Sequence, residues 1–200
     1  MTLLDQKPAE APREQSAAVL ETERLVLRAP RAEDAQAIAF LVNDRRIAEN
    51  TARIPHPYTL ADAETFIASA NTAAGQRAFL ITSRDGGILG GCGVGTVRST
   101  TPEIGYWLGV AFWGRGYATE AARAVIDHAF TDLGHERLEA GARVSNPGSR
   151  RVLEKCGFRW THVALYRVRA LNSSVPVDRF RLDRGLWASP RNWGKVRGAA

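Results

Sequence analysis

Arg24-Leu25-Val26-Leu27-Arg28, a short apolar run between two arginines, reads as a strand pattern where structure should begin. Beyond Pro30, Ala35, Ile38, Ala39, Leu41 and Val42 recur at helical spacing, with Asp34 placed as a cap or first-turn acid. Two prolines in Ile54-Pro55-His56-Pro57-Tyr58 remove amide donors and predict a loop. Thr59 follows as an N-cap for a helix carrying Ala63, Phe66, Ile67 and Ala70, with Asp62 in its first turn. Strands are expected at 78–82 and 88–97, joined by the hairpin signal Asp85-Gly86-Gly87. Glycines at 90, 91, 93 and 95 predict a bulge or a close backbone approach in the second of them.

A strand at 102–108, a helix at 117–133 and a strand at 137–144 come next. A short helix at 147–156 and strands near 160–171 and 177–184 complete the pattern. The long helix has the clearest signal. Ala118, Ala121, Ala122, Val125, Ile126, Ala129, Phe130 and Leu133 form one apolar stripe, and Gly134 stops it. The order is mixed α/β, with a strand–loop–helix–strand unit at its heart.

Composition narrows the class. Two hundred residues with 44% hydrophobic and 24% charged residues suit one soluble domain with a substantial core. No apolar run of membrane-spanning length occurs, so no membrane partner is expected. Residues 1–21, rich in Ala, Pro, Glu and Gln, are expected to be a loose arm without the apolar stretch of a secretory signal. The domain proper is expected at 22–187, with a basic tail at 188–200. Cys92 and Cys156 have neither metal-ligand nor disulfide-scaffold spacing, so no metal and a reduced, cytoplasmic setting are expected.

The net charge is +6, densest over 167–197 with Arg167, Arg169, Arg179, Arg181, Arg184, Arg191, Lys195 and Arg197. These are dispersed rather than run together, which predicts solvated strand faces and tail more than a nucleic-acid surface. His56 and His162 stand alone, and His128 and His135 suit the C-terminal end of the long helix.

The chemistry concentrates in Trp113-Gly114-Arg115-Gly116-Tyr117-Ala118-Thr119, which links a strand to the start of the long helix. A helix start presents unpaired amides and partial positive charge to phosphate, and glycines let the backbone approach closely. Arg115 adds a full charge and a planar donor fork. The alternative is a tight connection in which Gly114 and Gly116 merely permit the turn. Neither the triphosphate-loop spacing nor the dinucleotide fingerprint is present.

Glu103-Ile104-Gly105-Tyr106-Trp107-Leu108 with Phe112-Trp113-Gly114-Arg115-Gly116-Tyr117-Ala118-Thr119-Glu120-Ala121 resembles the acetyl-CoA motif of the GNAT acetyltransferase superfamily. The likeness is narrower to its RimJ/RimL-type branch of ribosomal-protein N-terminal acetyltransferases. Thr22-Glu23-Arg24-Leu25-Val26-Leu27-Arg28 resembles that branch's opening strand. Asn146 to Ser149, then Arg151-Val152-Leu153-Glu154-Lys155-Cys156-Gly157-Phe158, is similar to its second motif. The match runs over about 22–185.

The resemblance implies a twisted, mostly antiparallel mixed sheet with flanking helices, splayed beside the helix start to admit acetyl-CoA. It implies that residues 114–119 (Gly114, Arg115, Gly116, Tyr117, Ala118, Thr119) hold the CoA pyrophosphate. Leu108 and Val110 would pair with the pantetheine arm as an added strand would. Trp113 stands where the superfamily often has Gln or Arg. The implied acceptor is a primary amine on a protein N-terminus, a lysine or a small molecule.

Acetyl transfer needs a deprotonated amine, a polarised carbonyl and a stabilised leaving thiolate. Glu103 is the base candidate, expected to share a sheet face with Tyr106 and Leu108; the alternative is a carboxylate paired with a neighbouring Arg. Asn146, before Pro147, suits an N-cap, while the resemblance sends its side chain to the pantetheine. Many superfamily members carry a tyrosine seven residues after this asparagine, where this chain has Leu153. Ser149 then becomes the candidate acid, with helix capping as its alternative. Trp107, Trp113 and Tyr117 would wall a channel or fill the core. A non-catalytic acyl-CoA-binding domain and an RNA- or ribosome-binding protein are the competing functions. Monomer and homodimer both stay open.

Overall fold

The computed structural model describes residues 18–72, 76–96 and 100–189. Residues 1–17 of the expected arm and 190–200 of the expected tail, Trp193 among them, lie outside the described residues. Eight strands form one sheet: β1 (Leu20–Glu21), β2 (Leu25–Arg28), β3 (Gln76–Ser83), β4 (Ile88–Gly95), β5 (Glu103–Leu108), β6 (Arg137–Arg143), β7 (Arg159–Val168) and β8 (Ser173–Asp183). Their order is β1-β2-β3-β4-β5-β6-β8-β7. Every neighbouring pair is antiparallel except β5 and β6. The helices are α1 (Ala35–Val42), α2 (Arg45–Ala48), α3 (Leu60–Thr72), α4 (Tyr117–Thr131), α5 (Pro147–Lys155) and α6 (Arg184–Ala188).

Helix α4 turns the predicted stripe onto the sheet. Ala121, Ala122, Val125, Ile126, Ala129 and Phe130 pack with Leu25, Leu27, Ile104, Leu138, Leu153 and Phe180 in one buried cluster. A second cluster on the other face joins Ile38 and Val42 of α1 to Tyr58, Ala63, Ile67 and Leu80, with Trp107 against it. The central strands are thus covered on both faces, while β7 is largely exposed.

Local signals hold where they are strong. Thr59 and Asp62 exchange side-chain and backbone bonds at the start of α3. Gly86 takes φ of 92° in the β3–β4 turn. The predicted bulge lies at Leu89, which the β3–β4 register skips between the pairs Ile81↔Gly90 and Thr82↔Ile88. The close approach is there too, because a Cβ on Gly90 would lie 2.2 Å from the Trp107 carbonyl oxygen.

Some boundaries differ from the pattern. Strand β1 precedes residue 22 and the four-residue helix α2 lacks a periodic signal; both are too short to show one. Strand β8 starts at Ser173 rather than 177, because β7 lends its length to a long hairpin closed at Asn172. Arg179 departs most from the solvated face expected of it, being only 4% exposed.

Candidate active site

Strands β5 and β6 pair only at Glu103↔Glu139 and Ile104↔Ala140. Beyond that point β6 stays with β8 as far as Arg143↔Val177, while β5 stays with β4 as far as Leu108↔Gly90. The two strands therefore part, and the backbone edge of β5 after Ile104 is left without a partner strand. The parting faces the carboxyl ends of a parallel pair, where α4 and α5 both begin. Two positive helix ends converge on one cleft.

After β5 the chain makes a 3-10 turn at Val110–Phe112, passes Trp113 and enters α4 through two left-handed glycines, Gly114 (φ 76°) and Gly116 (φ 82°). Among the described residues, no amide from 114 to 119 donates to a backbone carbonyl; Glu120 is the first, to Gly116 O at 3.1 Å. Residues 114–116 are exposed. Adjacent amides at this helix start are thus without an intrahelical backbone partner, an arrangement that suits an anion. The Trp113 indole, 45% exposed, donates to the Leu108 carbonyl at 2.9 Å and pins the turn between strand and cradle. One acceptor site on Leu108 is thereby occupied.

Arg24 was not among the expected site residues. Its guanidinium donates to Glu120 at 2.7 Å and to the Arg115 carbonyl at 3.1 Å, and lies 4.7 Å over the Tyr117 ring. Thr22 also donates to Glu120, at 2.7 Å. These contacts tie the approach to β2 onto the first turn of α4, across nearly a hundred residues of chain. No local pattern carries such a tie.

Asn146 caps α5: its Oδ1 accepts from the Ser149 amide at 3.0 Å, and Pro147 follows at the first helical position. Leu153 is buried in the main core. A phenol nonetheless reaches the start of α5, from β5 rather than from the helix. The Tyr106 hydroxyl lies 2.9 Å from Ser149 Oγ and 3.0 Å from the Ser149 carbonyl oxygen. Burial raises the Tyr106 phenol above its ordinary value, against a smaller lowering by the Ser149 hydrogen bond, so it stays protonated.

Glu103 does not share a face with Tyr106 and Leu108. Strand alternation pairs it with Gly105 and Trp107, whereas Ile104 and Leu108 point into the α4–α5 core. Both Glu103 oxygens accept from Arg179, at 3.0 and 3.2 Å, and Arg179 also donates to Glu139 at 3.0 Å. Of the remaining aromatic candidates, Trp107 packs on the second cluster and Tyr117 on the first. Among the described residues no group of His, Cys, Asp and Glu could hold a metal ion, and no helix is long and apolar enough to cross a membrane.

The Acetyltransferase (GNAT) domain family matches residues 24–159, which includes the opening strand, the cleft, the cradle and α5. The chain belongs to the GNAT acetyltransferase family. Membership makes it an acyltransferase working on amines. The Probable N-acetyltransferase YjcK of Bacillus subtilis is 48% identical over 69 residues, 34% of this chain and 38% of that protein's length. The Uncharacterized N-acetyltransferase p20 of Bacillus licheniformis is 32% identical over 146 residues, 70% of this chain and 82% of its own. Among solved structures, Mycobacterium smegmatis RimJ in complex with CoA-disulfide superposes with a TM-score of 0.70 at 21% identity, over 84% of this chain and 86% of that one. The GNAT fold is thus shared with a RimJ protein.

Proposed function

We propose that the protein transfers acetyl from acetyl-CoA to a primary amine on a protein N-terminus, a lysine or a small molecule, by direct attack in a ternary complex. The observation that carries this reading is the run of open amides at 114–119, set beside a parallel strand pair that parts. An anion at the cradle and an extended arm along the free edge of β5 are the two halves of CoA, a pyrophosphate and a pantetheine.

Acetyl-CoA supplies the thioester. The amine nitrogen bonds to the acetyl carbon as the carbon–sulfur bond breaks and CoA leaves as a thiolate. The chain's own residues orient and stabilise. The amides of Gly114, Arg115, Gly116, Tyr117, Ala118 and Thr119 hold the pyrophosphate, with the Arg115 guanidinium as added charge. Leu108 and Val110 offer backbone groups to the arm, and Asn146 offers its side-chain nitrogen. The Ser149 hydroxyl, oriented by Tyr106, donates to the leaving sulfur. A thiol's ordinary value near 8.5 makes that thiolate a modest base, so a positioned donor suffices. With both Glu103 oxygens on Arg179, the amine releases its proton to water and Glu103 serves the cleft instead.

Thiol release from acetyl-CoA, measured against α-amino peptides, free lysine and a diamine with mass-spectrometric detection of acetylated product, tests the proposal. At least one amine class should give stoichiometric CoA and product. CoA binding without turnover on any of them would leave a non-catalytic acyl-CoA-binding domain.

A further inference from the structure

Glu103 and Glu139 are direct partners in the β5–β6 pairing, so two carboxylates sit side by side on neighbouring strands. Like charges placed this way push strands apart. They stand at the apex of the cleft, since one further pair, Ile104↔Ala140, is the last before the strands separate. Arg179 of β8 reaches across β6 to lie between them. Gly141, its ladder partner on β6, makes the crossing possible: a Cβ there would lie 2.8 Å from Arg179 Nη1 and 3.6 Å from Glu103 Oε1. Tyr166 covers the guanidinium, its ring centroid 4.7 Å from the central carbon. One buried fork therefore serves carboxylates on two strands, where a point charge would not span both.

We propose that Arg179 is a positioning residue that sets the opening of the β5–β6 cleft, and with it the affinity for the CoA arm. The inference rests on the reading that the cleft holds that arm. With Arg179 in place, the two carboxylates draw the strands together at the apex. The free edge of β5 then holds a constant spacing from β6. Without it, the paired negative charges repel and the free edge loses its alignment with the cradle. Arg179 touches no reacting atom in this role. Its loss acts on CoA binding far more than on the chemical step.

The test compares the full-length parent, R179M and R179M/E103Q/E139Q by calorimetric titration with CoA, by kcat and KM for acetyl-CoA, and by thermal melting. R179M should weaken CoA binding about tenfold and raise KM for acetyl-CoA in parallel, with kcat within about threefold of the parent. Removing both carboxylate charges in the triple variant should return CoA binding to within about threefold of the parent. A folded R179M that binds CoA as the parent does overturns the inference, and so does a folded triple variant no better than R179M. If R179M does not fold, R179K replaces it: a lysine cannot span both carboxylates, so CoA binding should weaken about fivefold, and unchanged binding overturns the proposal. A parent that binds no CoA removes the functional reading, and this inference with it.

Discussion

The phenol oxygen of Tyr106 on β5 lies 2.9 Å from the Oγ of Ser149 in the first turn of α5. The contact joins the strand beside the cleft to the helix that opens on it. If Ser149 is the group that faces the leaving sulfur, S149A should lower kcat about a hundredfold with little change in KM for acetyl-CoA. Y106F keeps the ring and loses the hydroxyl, which should cost about threefold to tenfold in kcat. The double variant should match S149A alone, because Tyr106 acts through the serine. Additive losses would place the tyrosine on a separate path.

The same tyrosine sets an expectation for pH. Burial raises its phenol, so the folded protein favours the neutral form. The stability this gives is complete below the unfolded value, near pH 10, and is lost as pH rises toward the folded one. A kcat profile should show no falling limb from tyrosinate below about pH 10. A limb that Y106F abolishes at lower pH would contradict this environment.

Glu103 meets a direct test. A general base contributes about 10²–10⁴-fold. With its oxygens on Arg179, E103Q should hold kcat/KM within about threefold and leave the pH profile in place. Loss of a hundredfold or more, with the acid limb removed, would return Glu103 to proton transfer.

The cradle depends on the left-handed turn at Gly116, whose φ is 82°. An alanine there faces about 1–2 kcal/mol of backbone strain, and its Cβ would lie 3.4 Å from Arg24 Nη2. G116A should weaken CoA binding about tenfold by calorimetry, with a smaller loss for pantetheine, which has no pyrophosphate. Equal losses for both ligands would locate the damage elsewhere.

Asp34 supports the fold away from the cleft. It is 5% exposed, pairs with Arg28 at 2.7 and 2.8 Å, and accepts the Arg31 amide at 2.8 Å. The Arg28 hydrogen bonds hold its carboxyl below the ordinary value, against desolvation. A lowered folded value means stability that is fully present above the unfolded value, about pH 4, and lost as pH falls from there through the folded one. D34N should cost about 1–3 kcal/mol in urea unfolding at neutral pH, because Arg28 loses its charged partner while staying partly solvated and bonded to the Ala29 carbonyl. The gap from the parent should narrow in acid.

Amphipathic period, turn chemistry and capping were enough to place α4, α5, the β3–β4 hairpin and the cradle glycines, because each is a relation among residues a few positions apart. The GNAT motif was legible for the same reason: it is one loop and one helix start. Tertiary structure alone decided three things. It put Glu103 on the face of Gly105 and Trp107 and gave its carboxylate to Arg179, seventy-six residues away. It supplied from β5 the phenol absent from α5. It bound Arg24 to Glu120 beneath the cradle. Each is a long-range contact whose partners carry no shared local pattern, so only the closing of the sheet, which fixes their distance, could bring them together.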